Sequence, residues 1–166
     1  MEKDFKSLGF SEEIINGLKK QKIEKPALVQ SLAAEAFMGG EEIVVQAETG
    51  SGKTLAYVLP IFMMVNPDLR STQFIILTPT HELSSQVHKQ IEMLSENSGL
   101  NIKSALIIGG ASLSRQLEKL KEKPQIVVGS AGRILELIKK RKIAAHTVKT
   151  IVIDEADRML DEVNID

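Results

Sequence analysis

Ala47-Glu48-Thr49-Gly50-Ser51-Gly52-Lys53-Thr54 decides how the rest of the chain is read. An apolar run, Ile43-Val44-Val45, leads into it, and an apolar helical pattern from Leu55 to Val65 leads out. A strand, a small-residue turn and Lys-Thr opening a helix make the arrangement of a phosphate-binding loop. Glycines at 50 and 52 let backbone N–H groups close around phosphate oxygens, with Ala47, Glu48, Thr49 and Ser51 completing the cradle. Lys53 is placed to reach the outer phosphates, and the Thr54 hydroxyl to hold Mg2+. The first position of the G-x-x-x-x-G-K-[ST] pattern is Ala47 rather than Gly.

Outward from this loop the chain alternates. Apolar runs predict strands at 43–46, 74–78, 103–108, 125–128 and 149–153. Helical patterns predict helices at 53–65, 81–97, 112–122, 131–141 and 157–162. Two further helices precede the loop. One runs from Glu12 to about Lys20, capped by Ser11. The other has Pro26 in its first turn and runs to about Met38, where Gly39-Gly40 stops it. Runs such as Phe74-Ile75-Ile76-Leu77 are continuous and β-branched, the mark of strands buried on both faces of a parallel sheet. The expected fold is α/β, a three-layer sandwich with a mostly parallel sheet. Asn66 to Thr72 reads as a polar loop.

The second chemical stretch is Val148 to Asp157. A buried strand ends in Asp154-Glu155, so carboxylates sit at the C-terminal edge of the sheet, where a phosphate loop also lies. Asp154 is the expected Mg2+ partner, and Glu155 the group that orients or deprotonates an attacking water. Taken alone, adjacent acids at a strand end are also a turn or a helix cap; beside a phosphate loop they point to nucleoside triphosphate hydrolysis.

Bulk properties bound this reading. The 166 residues are enough for one domain with a core. There is no cysteine, so no disulfide or Cys-based zinc site. The N-terminus, Met1-Glu2-Lys3-Asp4, is charged, and no apolar run reaches membrane-spanning length, so a cytoplasmic location is expected. Net charge is -1 but unevenly spread. Arg115 to Lys142 holds nine basic and three acidic residues, and Ile151 to Asp166 six acidic and one basic. Such asymmetry suits a polyanion surface beside a metal-binding pole, or simply two solvated faces.

Asp154-Glu155-Ala156-Asp157 following Ala47–Thr54 resembles the DEAD-box family of ATP-dependent RNA helicases, and the resemblance extends over nearly the whole chain. It implies a RecA-like P-loop fold, with residues 1–40 as the adenine-reading region. Lys22-Ile23-Glu24-Lys25-Pro26-Ala27-Leu28-Val29-Gln30 is similar to the family's Gly-Phe-x-x-Pro-Thr-x-Ile-Gln block, with Phe5 the aromatic residue 17 positions before Lys22. The resemblance implies that Gln30 hydrogen-bonds adenine, that Phe5 stacks on it and that Lys25 lies beside the nucleotide. Lys22 replaces the usual Gly, and Ala27 replaces Thr or Ser. Without the resemblance, Gln30 is an ordinary helix residue and Phe5 a core residue.

Pro79-Thr80-His81-Glu82-Leu83 resembles the family's Pro-Thr-Arg-Glu-Leu RNA block, with His81 in place of Arg. Gly109-Gly110 matches its glycine pair. Ser130-Ala131-Gly132-Arg133 resembles Thr-Pro-Gly-Arg, with Ala131 in place of Pro. RNA contacts are thus implied for Pro79, Thr80, His81, Gly110, Ser130, Gly132 and Arg133. They would go to the backbone without reading sequence. The plain readings of these residues are a helix cap, a turn and an exposed arginine.

The resemblance further implies a Ser-Ala-Thr block and a second RecA-like domain with an arginine finger, neither of which is in the sequence. The chain is expected to be the N-terminal RecA-like domain, nearly inactive by itself. It is also expected to lack the strand between the phosphate-loop strand and the DEAD strand, leaving open sheet edges. The alternatives are an inactive nucleotide- or RNA-binding module and another kind of P-loop ATPase.

Overall fold

The computed structural model describes residues 3–161, and these fall into two compact units. The first holds residues 3–65 with 93–101. The second holds 66–92 with 102–161. Met1, Glu2 and 162–166, including the last residue of the helix expected at 157–162, lie outside the described residues.

The first unit is helical. Helix α1, Glu12–Lys20, begins where the Ser11 hydroxyl accepts the Ile14 N–H, with Glu12 and Glu13 in its first turn and Lys19 and Lys20 in its last. Helix α2 spans Leu28–Met38 and helix α3 Lys53–Met64, and the two pack together. Pro26 lies outside α2, two residues before its first helical residue, because Ala27 is still extended (ψ 158°). Proline disfavours helical backbone only in the residue before it, here Lys25; Ala27 is the extended residue that caps the helix. Gly40 (φ 79°) ends it as expected.

Lys22 has a physical cost. It follows the α1 cap with φ 62°, and its N–H donates to the Lys19 carbonyl while the Ile23 N–H donates to that of Leu18. A left-handed residue after a helix is the position glycine fills without strain. Lys22→Gly is therefore expected to raise stability by about 0.5–1 kcal/mol, read as a higher denaturant midpoint with unchanged slope.

The strand expected at 43–46 does not form. Residues 41–48 have no regular structure, and Val44 is 100% exposed. An apolar β-branched run becomes a strand only where a neighbour supplies hydrogen bonds. The four described strands pair among themselves.

The second unit contains the whole sheet. Strands β1 (Phe74–Leu77), β2 (Ser104–Ile107), β3 (Ile126–Gly129) and β4 (Thr150–Ile153) are parallel in the order β2-β3-β1-β4. Helices α4 (His81–Ser98), α5 (Leu113–Lys121), α6 (Ala131–Lys139) and the single turn α7 (Ala156–Met159) alternate with them, and the last turns of α4 belong to the first unit. Each matches its predicted position to within a few residues.

Ile75, Ala105, Ile107 and Val127 form one buried face with Ile134, Leu137 and Ile143, and Leu113, Leu117 and Leu120 of α5 pack against it. On the other face Phe74, Ile76, Ile126 and Val128 are fully buried. Burial of both faces explains the continuous apolar runs. At the N-terminal edge, Gln73 donates to the Asn66 carbonyl and accepts the Asn66 N–H, and Gln125 donates to the Pro67 carbonyl and accepts the Lys103 N–H. These buried amides pin the polar 66–72 loop.

The expected open flank is present at β4. Among the described residues it pairs only with β1, and Ile151 and Ile153 stay 58% and 46% exposed.

Candidate nucleotide and nucleic-acid sites

In the first unit the loop before α3 has two left-handed glycines, Gly50 (φ 81°) and Gly52 (φ 92°), and Gly52 caps the helix. The Ser51 N–H closes a turn onto the Glu48 carbonyl. Glu48, Thr49 and Gly50 are exposed, while Ala47, Lys53 and Thr54 are partly covered. The buried Ser51 hydroxyl has no hydrogen-bond partner among the described residues. Unpaired N–H groups in the first turn of α3, next to Lys53 and an unsatisfied hydroxyl, fit a phosphate group. The Thr54 hydroxyl at the same helix start is an oxygen ligand of the kind Mg2+ takes.

Gln30 is buried, and both ends of its carboxamide are engaged. Its Oε1 accepts the Ala27 N–H at 2.9 Å, and its Nε2 donates to the Gly52 carbonyl at 3.2 Å. Gln30 thus ties the start of α2 to the phosphate loop, a role that helix periodicity does not signal. Ala27 offers no hydroxyl for the reciprocal cap bond.

Phe5 departs from expectation. Its ring is 2% exposed and meets Phe10 edge-on, with centroids 6.0 Å apart. It is placed as a core residue and offers no open face to a base. Lys25 lies exposed in the segment before Pro26. A groove of about 580 Å³ runs beside the loop, lined by Leu28, Leu32, Val44, Ala47, Glu48 and Ser51 among others.

In the second unit, parallel strands bring their following turns to one edge. After β1, Pro79 and Thr80 lead into α4, and the Thr80 hydroxyl accepts the Leu83 N–H at 3.1 Å. Thr80 is therefore the helix cap of the plain reading. The hydroxyls of Thr78 and Ser84 meet at 2.5 Å beneath this turn. His81 opens the helix, exposed, and a β-carbon built on Gly109 would lie 3.7 Å from its Nε2. His81 and the glycine pair are thus neighbours.

The turn after β2 is held by Gln116. Its Nε2 donates to the Ile108 carbonyl and its Oε1 accepts the Ile108 N–H. Nothing in the pattern along the chain marks this residue beyond its helical position. After β3, the Ser130 N–H donates to the Ile107 carbonyl, and Gly132 lies in open space on the first turn of α6. The Arg133 Nε lies 3.4 Å from Glu136.

After β4 the chain turns sharply. The Asp154 N–H donates to the Leu77 carbonyl, and its Oδ1 accepts the Glu155 N–H at 2.9 Å. Glu155 is left-handed (φ 50°), an unfavourable conformation for a non-glycine residue and one concentrated at functional sites. Arg158 donates to the Glu155 carboxylate at 3.0 Å. The Asp154 carboxylate is a hard oxygen donor that fits Mg2+. Among the described residues there is no cluster of three His, Cys, Asp or Glu side chains able to hold a metal by themselves, and no helix long and apolar enough to cross a membrane.

A parallel α/β sheet with a glycine-rich loop opening a helix and an acid pair at a strand end defines the class of P-loop nucleotide-binding folds. The chain belongs to the DEAD/DEAH box helicase family, whose model matches residues 27–166. It is 42% identical over 134 residues to the DEAD-box ATP-dependent RNA helicase CshC of Bacillus cereus, covering 81% of this chain and 34% of that protein. It is 40% identical to the helicase CshB of Listeria monocytogenes, over 95% of this chain and 36% of the relative. The chain therefore spans about a third of the length of these curated relatives. A crystal structure of a DEAD box protein from Methanococcus jannaschii superposes with a TM-score of 0.90 at 39% identity, covering 99% of this chain and 45% of that one. S. cerevisiae Dbp5 bound to RNA and ADP BeF3 superposes at 0.82 with 30% identity, covering 96% of this chain and 40% of that one.

Proposed function

We propose that this chain binds ATP with Mg2+ and the RNA backbone, within an enzyme that couples ATP hydrolysis to local separation of RNA duplexes. The observation that carries the reading is the start of α3. Left-handed Gly50 and Gly52 open a helix at Lys53-Thr54, and a buried Ser51 hydroxyl lacks a partner among the described residues. Family membership supports the rest. Lys53 would bind the outer phosphates, with Ala47 to Gly52 as their cradle. The Thr54 hydroxyl would hold Mg2+, which supplies charge neutralisation at the phosphates, and the Asp154 carboxylate is a second oxygen donor of the kind Mg2+ takes. Glu155 would orient the attacking water, and the Arg158 contact holds its carboxylate in place.

Adenine contact by Gln30 would exchange at least one of its two present hydrogen bonds for one to the base. Stacking by Phe5 requires its ring to leave the core, and Lys25 would lie nearby. Pro79, Thr80, His81, Gly110, Ser130, Gly132 and Arg133 would meet RNA phosphates without reading base sequence. A cytoplasmic location and a second RecA-like domain in cis, supplying an arginine finger, belong to the same reading.

Titration of the chain with ATP and GTP tests it. ATP binding that Lys53→Ala lowers at least tenfold is expected, since removing a charged phosphate contact costs about 1.5–3 kcal/mol. Equal binding of GTP would remove the adenine role of Gln30. ATP hydrolysis is then compared between this chain and one extended through a second RecA-like domain, each with RNA. An arginine finger is worth about 10³ or more in this chemistry. Equal RNA-stimulated rates would overturn the two-domain part, and no stimulated hydrolysis in the extended chain would favour an inactive binding module.

A further inference from the structure

The basic stretch from Arg115 to Lys142 contains one acid whose placement is not explained by solvation. Glu136 sits on α6 between two cations on one helix face, at spacings of three and four residues. Its Oε2 lies 3.4 Å from the Nε of Arg133, and its Oε1 accepts from the Lys140 ammonium at 2.6 Å. Each carboxylate oxygen thus has its own partner. The Lys140 hydrogen bond, then the charges of Lys140 and Arg133, hold the Glu136 carboxyl below the usual range against the opposing effect of desolvation. It therefore stays ionised at neutral pH.

The Arg133 side chain is only 19% exposed. The first turn of α6 is itself fixed, because the Ser130 N–H donates to the β2 carbonyl of Ile107. A guanidinium has two hydrogen-bonding edges in a rigid plane. An ion pair on the Nε side leaves the edge formed by the two terminal nitrogens as the one that can meet a phosphate with paired hydrogen bonds.

We propose that Glu136 is a positioning residue for RNA: it holds the Nε edge of Arg133, Lys140 braces it through its second oxygen, and the terminal edge of Arg133 is thereby aimed at a backbone phosphate. The proposal rests on the RNA-binding reading above. It has an unusual sign. An acid in a basic surface weakens polyanion binding by simple electrostatics, so neutralising it should tighten RNA. If Glu136 positions Arg133, neutralising it weakens RNA instead.

The test measures binding of a fluorescent single-stranded oligouridylate across a salt series. The proteins are wild type, Glu136→Gln, Glu118→Gln, Arg133→Lys and the double variant Arg133→Lys/Glu136→Gln. Glu118 pairs with Lys121 on α5, so Glu118→Gln removes the same charge from the same basic stretch without touching Arg133. The expected result is that Glu136→Gln binds about three- to tenfold more weakly and loses about one unit of the salt slope, as for one phosphate contact. Glu118→Gln is expected to bind as tightly as wild type or slightly tighter. In the Arg133→Lys background, where no fork remains to be aimed, Glu136→Gln is expected to tighten binding.

A structural role alone would not reverse sign between the two backgrounds, and helix pairs three or four residues apart contribute too little to stability to unfold α6. If Glu136→Gln binds as tightly as wild type or tighter, the positioning role is overturned while RNA binding stands. If wild type itself does not bind the oligonucleotide, the RNA reading and this one fall together.

Discussion

Gly129→Ala is expected to destroy the cooperative fold of the sheet or to cost at least about 3 kcal/mol, among the largest effects of any single methyl group added to this chain. Gly129 is the last residue of β3, in register with Leu77 on one side and Ile107 on the other. A β-carbon built there would lie 1.7 Å from the Ile107 carbonyl oxygen and 2.7 Å from its carbon. Those atoms are backbone and cannot rotate away. Ile107 is fully buried, and its carbonyl accepts the Ser130 N–H, while the Gly129 carbonyl accepts the Thr78 N–H. Any shift that relieves the clash breaks the bonds fixing the turns after β1 and β3. Those turns lead to Thr80, His81 and Arg133.

Gly132 provides the control. Only three residues on, it has nothing within 4 Å of its would-be β-carbon, and Ala is the better helix former there. Gly132→Ala is expected to keep or slightly raise stability, so any loss of RNA affinity it causes reports on close backbone approach. Denaturant unfolding of both variants decides. A Gly129→Ala protein within 1 kcal/mol of wild type, an order set by ordinary surface changes, would show that the sheet edge relaxes and that the crowding is not structural.

Gly129 also shows where sequence reading stops. The four strands of the sheet are legible because each is a short apolar run, although the run of β4 leaves Ile151 and Ile153 exposed. The requirement for glycine at 129 comes from the closeness of a neighbouring strand, which pattern along one chain does not encode. Residues 43–46 fail for the same reason in reverse. Ile43-Val44-Val45 has the composition of a buried strand, but a strand is a property of a pair, and Val44 is fully exposed.

The site divides along the same line. Lys53, Asp154 and Arg133 stand at the element ends expected of them. Gln116, which holds the Gly109-Gly110 turn, acts through a tertiary contact and carries no motif; Glu136, paired with Arg133 one helical turn away, also lies outside any motif. Phe5 illustrates a third limit. A motif names the residue, but the conformation decides whether its ring packs against Phe10 or faces a base.

Gly52→Ala is expected to abolish measurable nucleotide binding while leaving the helical unit folded, an effect as large as that of removing Lys53. Three consequences meet at this residue. Its φ of 92° is one that L side chains rarely adopt, and holding alanine there costs about 1–2 kcal/mol. Its β-carbon would lie 2.6 Å from Gln30 Nε2 and 3.5 Å from the Ala27 methyl. The Gln30 side chain would have to turn, giving up its bond to the Gly52 carbonyl and its support of the Ala27 N–H. If the loop relaxes instead, the first N–H groups of α3 lose the convergence that makes them a phosphate site.

The two routes can be told apart. In a Gln30→Ala background the steric conflict is gone, so Gly52→Ala should retain more nucleotide affinity relative to its parent than it does in wild type if Gln30 is the obstacle. Nucleotide titration of both single variants and the double variant measures this coupling. Circular dichroism and thermal unfolding establish that α2 and α3 persist. Wild-type affinity in Gly52→Ala would show that neither the left-handed backbone nor the Gln30 bridge shapes the loop, and the reading of this stretch as a phosphate cradle would have to be abandoned.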